Sequence, residues 1–563
     1  MTTFGIDLGT TNSVISRLSE GRPTAIPVAG EVIVPSVVCF RDDGVVVVGR
    51  EARNLELAHP DRTVRSAKRR IGQDFAYDVA GRRLRPEEVS AEVLRALKRG
   101  AEAVTGEAVR EVVITVPAYF DDAQRRGTLR AGELAGLDVL RLLNEPTSAS
   151  LVFDQAVASA ARDPEIVLVY DLGGGTFDVS VLEVFGEVRE VRATAGNTHL
   201  GGDDFDDKLL SLFLDLLRTQ HGADVRDDPR AMARLRRLAE DTKIRLSTET
   251  EVAIAEEFIA TAGGRPLHLQ TRVTRRQLEA LIRPLLESTV ELARRAVSEA
   301  NLGAQPLTRV CLVGGSTRIP LCREVLDDAF HVDVREDVDP DLAVGLGAAV
   351  QAGLLKGEPI ERILVDVSAH SLGILAMGRH DAEEDDGRFT ADTFVPIIRR
   401  NTVLPAVRSE ELYTALDDQE TIQVRVFQGE SPQASKNTPV GTFKYDLEPV
   451  PEGSPVVFQL EYDLDGVVRV SVSQPETKNA KTVALRVADA SGKPSDAADR
   501  ESSAIVRKAR AALARLEGER RSRLEGLLAD LAATGSGERR TEIEDAILDL
   551  LLDADGDEAA SSG

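Results

Sequence analysis

The feature that most constrains this chain is a short motif that occurs twice. Asp7-Leu8-Gly9-Thr10-Thr11-Asn12-Ser13-Val14 returns in altered form as Asp171-Leu172-Gly173-Gly174-Gly175-Thr176-Phe177-Asp178-Val179. Each copy reads as a strand ending in Asp, a Gly/Thr turn and a second strand. Any β-hairpin can carry Asp and Gly, but two copies of one such string point to two half-domains with pseudo-twofold symmetry. Their turns would then face each other across a cleft. As far as Leu355, strand-like runs (Val112–Val116, Ile166–Tyr170, Val179–Val184, Val310–Val313) alternate with helical stretches. The latter are Ser90–Val104, Asp122–Leu134, Phe205–Gln220, Met232–Leu246, Thr274–Ala300 and Ala343–Leu355. This is an α/β pattern.

After Gly357 the texture changes. Glu358-Pro359-Ile360-Glu361 leads into the apolar strip Ile363-Leu364-Val365 and Asp366. From Ser368 to Val487 period-2 alternation dominates, as in Thr421–Phe427, Val456–Tyr462, Val467–Val472 and Thr482–Val487, with Asp465-Gly466 as a tight turn. Helix returns from Asp499. Ile505, Ala509, Ala512, Leu516, Leu524, Leu527, Leu528 and Leu531 form a stripe, Gly535-Ser536-Gly537 breaks it, and Ile543, Ile547, Leu550 and Leu551 mark a last short helix. The expected division is 1–357, a linker 358–367, a β domain 368–490, a helical lid 491–555 and an acidic tail 556–563.

Charge narrows the function. Of 563 residues 94 are acidic and 69 basic, a net charge of −25, which opposes binding to phosphate backbones and anionic lipid. Neither a nucleic acid nor a membrane is an expected partner. Cys39, Cys311 and Cys322 form no CxxC, and the seven histidines form no HExxH, so a reducing compartment and no structural zinc are expected. No secretory leader or spanning run is legible, which makes a soluble cytoplasmic chain the expectation.

Phosphate binding is the main chemical signal. There is no GxxxxGK[ST], so a Walker-type site is excluded. In the two hairpins glycine lets the backbone come close, successive N–H groups form an anion nest, and Thr10, Thr11 and Thr176 add hydroxyl donors. Asp7 and Asp171 at the strand ends would hold a hydrated Mg²⁺, since two carboxylates facing a triphosphate otherwise repel it. A third turn, Gly314-Gly315-Ser316-Thr317-Arg318, could take a flat ring against its glycines with the Arg318 guanidinium stacked on it, or could be a packing turn. Glu240, Lys243 and Ser247 share a helix face and could grip a ribose; taken alone they read as a solvated charged face. Gly345-Leu346-Gly347 lies inside a helical pattern and reads as close helix packing.

From Thr3 to about Val487 the residues resemble the DnaK-type chaperones, the seventy-kilodalton heat-shock family. Gly5–Ser13, Val169–Ser180 and Val310–Pro320 match its three phosphate signatures, Asn197–Asp206 its following loop, and Val116–Phe120 and Leu143–Thr147 two further strings. The resemblance implies an α/β actin-like (ribonuclease-H-like, duplicated) ATPase domain, then an antiparallel β-sandwich and a short α-helical lid. It implies ATP and ADP with Mg²⁺, and K⁺ as a further candidate ion. It implies nucleotide contacts at Gly9, Thr10, Thr11, Asn12, Gly173, Gly174, Gly175, Gly201, Gly202, Asp203, Glu240, Lys243, Ser247, Gly314, Gly315, Ser316, Arg318 and Asp341.

By the same resemblance Lys68 orients the attacking water, Glu145 and Asp171 stand beside it, and Thr176 senses the γ-phosphate. Pro117, Arg125 and Asp366 form a relay, and Arg141, Asn144 and Asp366 dock a J-domain co-chaperone; a nucleotide-exchange factor is a further candidate partner. Ile374, Met377, Leu412, Ala415, Ile422 and Val424 match the peptide groove; without the family they read as a sandwich core. The implied function is ATP-switched binding of extended hydrophobic segments of unfolded or partner proteins, with slow hydrolysis stimulated by peptide and J-domain. The alternatives are a small-molecule kinase on the same fold and a dedicated regulator of one protein. The chain departs from the family pattern at Arg362 in the linker, at Ala369-His370, at Leu412 and in the acidic insert Asp381–Asp386. That insert is either a solvated loop or a bias toward basic clients. The short lid resembles the HscC-like branch and implies faster client release.

Overall fold

The computed structural model describes residues 3–153, 164–262, 265–303, 305–358, 360, 362–379, 389–464, 466–477, 479–485 and 518–533. The chain forms two compact units, Met1–Arg486 and Val487–Gly563.

The internal repeat is a repeat of sheet topology. In the first half β1 (Phe4–Asp7), β2 (Asn12–Ser19) and β3 (Arg22–Ala25) make an antiparallel meander. Strands β4 (Glu111–Val116) and β5 (Asp138–Asn144) add in parallel on the other side of β1, giving the order β5-β4-β1-β2-β3. The second half repeats this with β6 (Glu165–Leu172), β7 (Phe177–Phe185), β8 (Val188–Asn197), β9 (Arg309–Val313) and β10 (Asp333–Arg335). Its order, β10-β9-β6-β7-β8, is extended by one more strand, β11 (Ile363–Val365), which pairs in parallel with β8.

Helices begin and end where local chemistry dictates. The first, α1 (Pro86–Thr105), carries Pro86 at its first position and stops at Gly106, whose φ is 72°. In α2 (Asp122–Leu134) the Asp121 carboxylate accepts the Gln124 N–H at 2.9 Å, and the Gln124 side chain returns to the Asp121 N–H at 3.0 Å. Further helices are α3 (Gly202–His221), α4 (Pro229–Thr248), α5 (Arg275–Glu299) and α6 (Ala343–Leu355). Alternation along β6 serves two cores. Leu168 and Tyr170 join Phe205, Leu209 and Ile282 on one face, while Val167 and Val169 join Ala343 and Val344 of α6 on the other. The two glycines of α6 allow close packing, as the sequence suggests. A Cβ on Gly347 would stand 1.8 Å from the Ser148 carbonyl oxygen, and one on Gly345 would stand 3.0 Å from Val14.

Beyond the linker two four-stranded antiparallel sheets form. Strands β12 (Leu372–Arg379), β13 (Phe389–Ile398), β14 (Ala406–Tyr413), β15 (Thr421–Gln428), β16 (Thr438–Asp446), β17 (Pro455–Tyr462), β18 (Val468–Gln474) and β19 (Asn479–Ala484) assemble as β13-β12-β15-β16 and β14-β17-β18-β19. Their shared core includes Leu372, Ile374, Val426, Phe458, Leu460 and Val470. The last strand is Asn479–Ala484 rather than Thr482–Val487, because its extent is set by pairing with β18 from Gln474↔Asn479 to Arg469↔Ala484. In the second unit α7 (Gly518–Ala533) buries Leu524 and Leu531, two members of the expected stripe. The expected helix around Ile543–Leu551, the acidic insert 381–386 and the tail lie outside the described residues. Among the described residues no helix is long and apolar enough to cross a membrane.

Candidate functional site

The two Gly/Thr turns meet. A Cβ on Gly174 would stand 1.8 Å from Thr11 Oγ1, and one on Gly175 would stand 2.5 Å from Thr10 Cγ2. Only glycine permits this approach. The Gly9 carbonyl accepts the Ser36 hydroxyl at 2.8 Å, and Asn12 opens β2. Behind the second turn Gly173 N–H donates to the Thr176 carbonyl at 3.1 Å. The N-terminus of α3 clips onto this turn, with Gly202 N–H on Gly173 O at 3.0 Å and Asp203 N–H on Gly174 O at 2.7 Å. The third turn joins it through the Ser316 hydroxyl, 2.8 Å from Gly173 O. A Cβ on Gly201 would strike the Gly174 carbonyl carbon at 2.6 Å, so that loop also lies against the hairpin.

Under the turns lies an acidic floor. Lys68 and Glu145, both buried, pair at 2.5 Å. The Thr115 hydroxyl donates to Asp7 at 2.9 Å, and Tyr119 N–H donates to Asp178 at 2.9 Å. Burial, with Glu145 adding repulsion, pushes the Asp7 carboxyl up to about 7 and holds Asp171 well above the carboxylate range. The same two causes push Asp178 up to about 8. So many desolvated carboxylates beside Lys68 fit a site that gains a divalent cation. Among the described residues no three His, Cys, Asp or Glu side chains converge closely enough to hold an ion directly. Asp7 and Asp171 would suit an ion that keeps its water, as Mg²⁺ tends to do.

The rim residues are engaged with one another. On α4 Glu240 is buried and bonded to Arg53 and Arg65 of the first half, each at 3.1 Å. Burial opposes its charge, but Arg65 and Arg53 outweigh it and lower its pKa. Lys243 reaches Asp206 at 2.9 Å and the Gly202 carbonyl at 3.0 Å, and burial still pushes Asp206 up to about 7. The Ser247 hydroxyl turns back to the Lys243 carbonyl at 3.4 Å. Arg318 is exposed and held by Asp341 at 2.9 Å and Asp339 at 2.6 Å. Asp341 also lies against Gly315, while Gly314, which opens the turn, lies against Leu172 and Asp171.

The expected relay residues connect the floor to the linker and the sandwich. Buried Arg125 bonds the Ala118 carbonyl at 3.2 Å, the Phe120 carbonyl at 3.3 Å and Asn144 Oδ1 at 2.6 Å. Asn144 Nδ2 donates to Asp366 at 2.8 Å, and burial raises the Asp366 carboxyl. Pro117 directly follows β4 and is buried. Arg141 lies on β5 with its Nε buried and unbonded. The sandwich is held directly as well. Gln428 accepts the Asp122 N–H at 3.0 Å, Arg126 donates to the Leu485 carbonyl at 3.2 Å, and Arg400 pairs with Glu299. The sequence did not single out Asp178, Thr115, Arg65, Gln428 or Glu299. For Asp178 a signal existed, its place inside the second motif.

Of the expected groove residues, Ile374 and Val424 are buried in the sandwich core, and Leu412 and Ile422 pack partly against it. Ala415 is exposed in the loop after β14, its N–H on Gln419 at 3.0 Å. The Met377 side chain lies outside the described residues.

Comparison with known proteins agrees with this geometry. The family model described as Hsp70 protein matches residues 3–81 and 76–547. The chain belongs to the Hsp70 family. The chaperone protein DnaK of Thermotoga neapolitana is 43% identical over 477 residues, covering 83% of this chain and 77% of that protein. The DnaK of Thermosipho melanesiensis is 40% identical over 489 residues, covering 85% and 79%. This Hsp70 is an ATP-dependent molecular chaperone: it binds nucleotide, hydrolyses ATP and binds client polypeptides. The kinase and single-partner alternatives gain no support from these relatives. All of them carry the DnaK name, so the HscC-like branch gains none either.

Proposed function

We propose that ATP lies between the two hairpins, its phosphates on the N–H groups of Gly9–Asn12 and Gly173–Thr176, and that hydrolysis there switches how the sandwich holds a client. The observation that carries this is the contact of Thr10 and Thr11 with Gly174 and Gly175 above the Lys68–Glu145 pair. Lys68 and Glu145 orient the attacking water, and Thr176 and Asp171 face the terminal phosphate. Such hydrolysis needs positioning and electrostatics rather than covalent catalysis. Asp7 and Asp171 hold Mg²⁺ through water, and the bound ion neutralises phosphate charge. Gly201, Gly202, Asp203, Glu240, Lys243, Ser247, Gly314, Gly315, Ser316, Arg318 and Asp341 surround the nucleoside. For that role Glu240 must exchange arginine for ligand.

Residues 1–357 are assigned to nucleotide, 358–367 to the linker, 368–490 to clients and 491–555 to the lid. Pro117, Arg125 and Asp366 relay nucleotide state. Arg141, Asn144 and Asp366 receive a J-domain, and an exchange factor acts on the same cycle, in a cytoplasmic setting. Clients are extended apolar segments, since added main-chain hydrogen bonds and one apolar pocket suit an edge of the sandwich at Leu412, Ala415 and Ile422.

Two measurements on the full chain test this reading. Client-peptide affinity should be weaker with ATP than with ADP; equal affinities overturn the switch. Lys68→Ala should slow single-turnover hydrolysis by about a hundredfold or more while ATP still binds. A normal rate in that variant removes Lys68 from the chemistry.

A further inference from the structure

The turn that carries Lys68 is pinned from the opposite half of the domain. Lys68 lies in a single 3-10 turn, Ala67–Arg70, entered through Ser66 at φ 53° and ψ 33°. That left-handed backbone is unfavourable for serine and persists where the surroundings impose it. The Ser66 hydroxyl makes no capping bond to the turn it precedes. It donates instead to Asp203 Oδ2 at 2.7 Å. Three residues on, Arg69 reaches both oxygens of Asp204 at 3.1 Å. Asp203 and Asp204 are adjacent in the first turn of α3, the same terminus that is bonded to Gly173 and Gly174. The other Asp203 oxygen receives the Thr11 hydroxyl at 3.4 Å. One helix end thus touches both phosphate hairpins and the Lys68 turn.

We propose that Ser66 is a positioning residue for ATP hydrolysis: through Asp203 it fixes the Lys68 turn against the second phosphate hairpin, so that Lys68 takes its working place only when the two halves of the cleft close on each other. This rests on Lys68 acting in hydrolysis, and it explains why a strained serine stands two residues before that lysine. Arg69–Asp204 supports the turn in charge, while the short Ser66 bond sets its register.

The test uses full-length protein with Mg·ATP and reads binding, single-turnover rate and thermal midpoint. Ser66→Gly relaxes the left-handed backbone but deletes the donor. Ser66→Asn keeps a donor on a residue that tolerates this backbone. Ser66→Gly is expected to slow single turnover by roughly tenfold to a hundredfold, with ATP affinity within about twofold of wild type, and Ser66→Asn to recover most of the rate. A wild-type rate in Ser66→Gly overturns the proposal. So does a loss of affinity that matches the loss of rate, because the bond then serves binding. Should Ser66→Gly fail to fold, Ser66→Ala carries the same expectation. Lys68→Ala is run alongside. If it hydrolyses normally, the reading of the whole site falls; if it is inactive while Ser66→Gly is normal, only the role of Ser66 falls.

Discussion

The two hairpins share one register and differ in what stands at one position of it. Asp7 lies opposite Val14, and Asp171 lies opposite Asp178. Val14 and Asp178 therefore hold the same place in the two copies, without the one-residue gap that the sequence strings suggest. Val14 is buried against Gly345 of α6. Asp178 is also buried, but it accepts Tyr119 N–H, and the Tyr119 carbonyl faces His370 Nε2 at 3.1 Å where the sandwich begins. The outer strands differ in the same sense. In the first copy β3 has 4 residues; in the second β8 has 10 and takes the linker strand β11 on its edge. At this position the first hairpin is closed by packing and the second is bonded outward, while the first half meets the sandwich elsewhere, through Asp122 and Arg126. In the proposed reading both hairpins take phosphate, and only the second carries a buried carboxyl bonded toward the sandwich through Tyr119.

The largest effect should come from breaking the added strand. Leu364 packs partly among Leu18, Leu354 and Ile360, in register with Arg189 of β8. Leu364→Asp places a charge there and should release β11. The ratio of client affinities in ADP and ATP should then fall by up to about a hundredfold, toward one, with ATP still bound. An unchanged ratio would mean that β8–β11 pairing carries none of the switch. Arg362 sharpens the point. It enters the strand partly buried, 3.8 Å from Glu187, and burial lowers its pKa, so its charge opposes the docking that Leu364 favours.

A smaller effect is expected from making the second hairpin resemble the first. Asp178→Val removes the acceptor of Tyr119 N–H, and a hydrogen bond to an uncharged group contributes about 0.5–1.5 kcal/mol. Nucleotide should still bind while the ADP/ATP ratio of client affinity falls by up to about tenfold. The mirror change, Val14→Ala, should lower thermal stability by about 1–3 kcal/mol and leave that ratio alone. If Val14→Ala disturbs the ratio as much as Asp178→Val, the two copies are not functionally distinct.

Much of this was legible in the chain. The duplicated motif foretold the duplicated sheet, and α2 and α6 begin and end where the pattern places them, Asp122–Leu134 and Ala343–Leu355. The phosphate turns were legible because their chemistry is local. What was not legible is pairing at a distance. Arg126 with Leu485, Asp122 with Gln428 and Glu240 with Arg53 and Arg65 join residues that carry no local sign of one another. The hairpin Glu251–Ala262 and Arg265–Thr274 shows only a short alternation, Val252 and Ile254, before Glu256 and Glu257 and a register shift between Glu256 and Ala260 interrupt it. His370 stood out as a departure from the family, but its meaning depends on Tyr119.

That histidine carries the smallest effect. His370 is partly buried, its ring centroid 4.2 Å from that of Tyr119, and its Nε2 donates to the Tyr119 carbonyl. Burial lowers its pKa from the ordinary 6.5; Asp121 and Glu430 facing it favour the proton and Arg125 opposes it. The docked form therefore prefers neutral imidazole. Above pH 6.5 a released His370 is also neutral, and docking is at full strength. As pH falls below 6.5 the released form takes a proton that the docked form resists, so docking weakens. Asp366, raised by burial, has the opposite sign and gains docking in acid, so the two groups are separated by mutating one of them. Between pH 7.5 and 6.0 the ability of ATP to loosen a client should fall by up to about fourfold in the wild type, less whatever Asp366 returns. In His370→Leu that decline should vanish. A decline of equal size in the leucine variant would place the pH sensitivity elsewhere and leave Asp178 and Tyr119 as a connection that does not pass through His370.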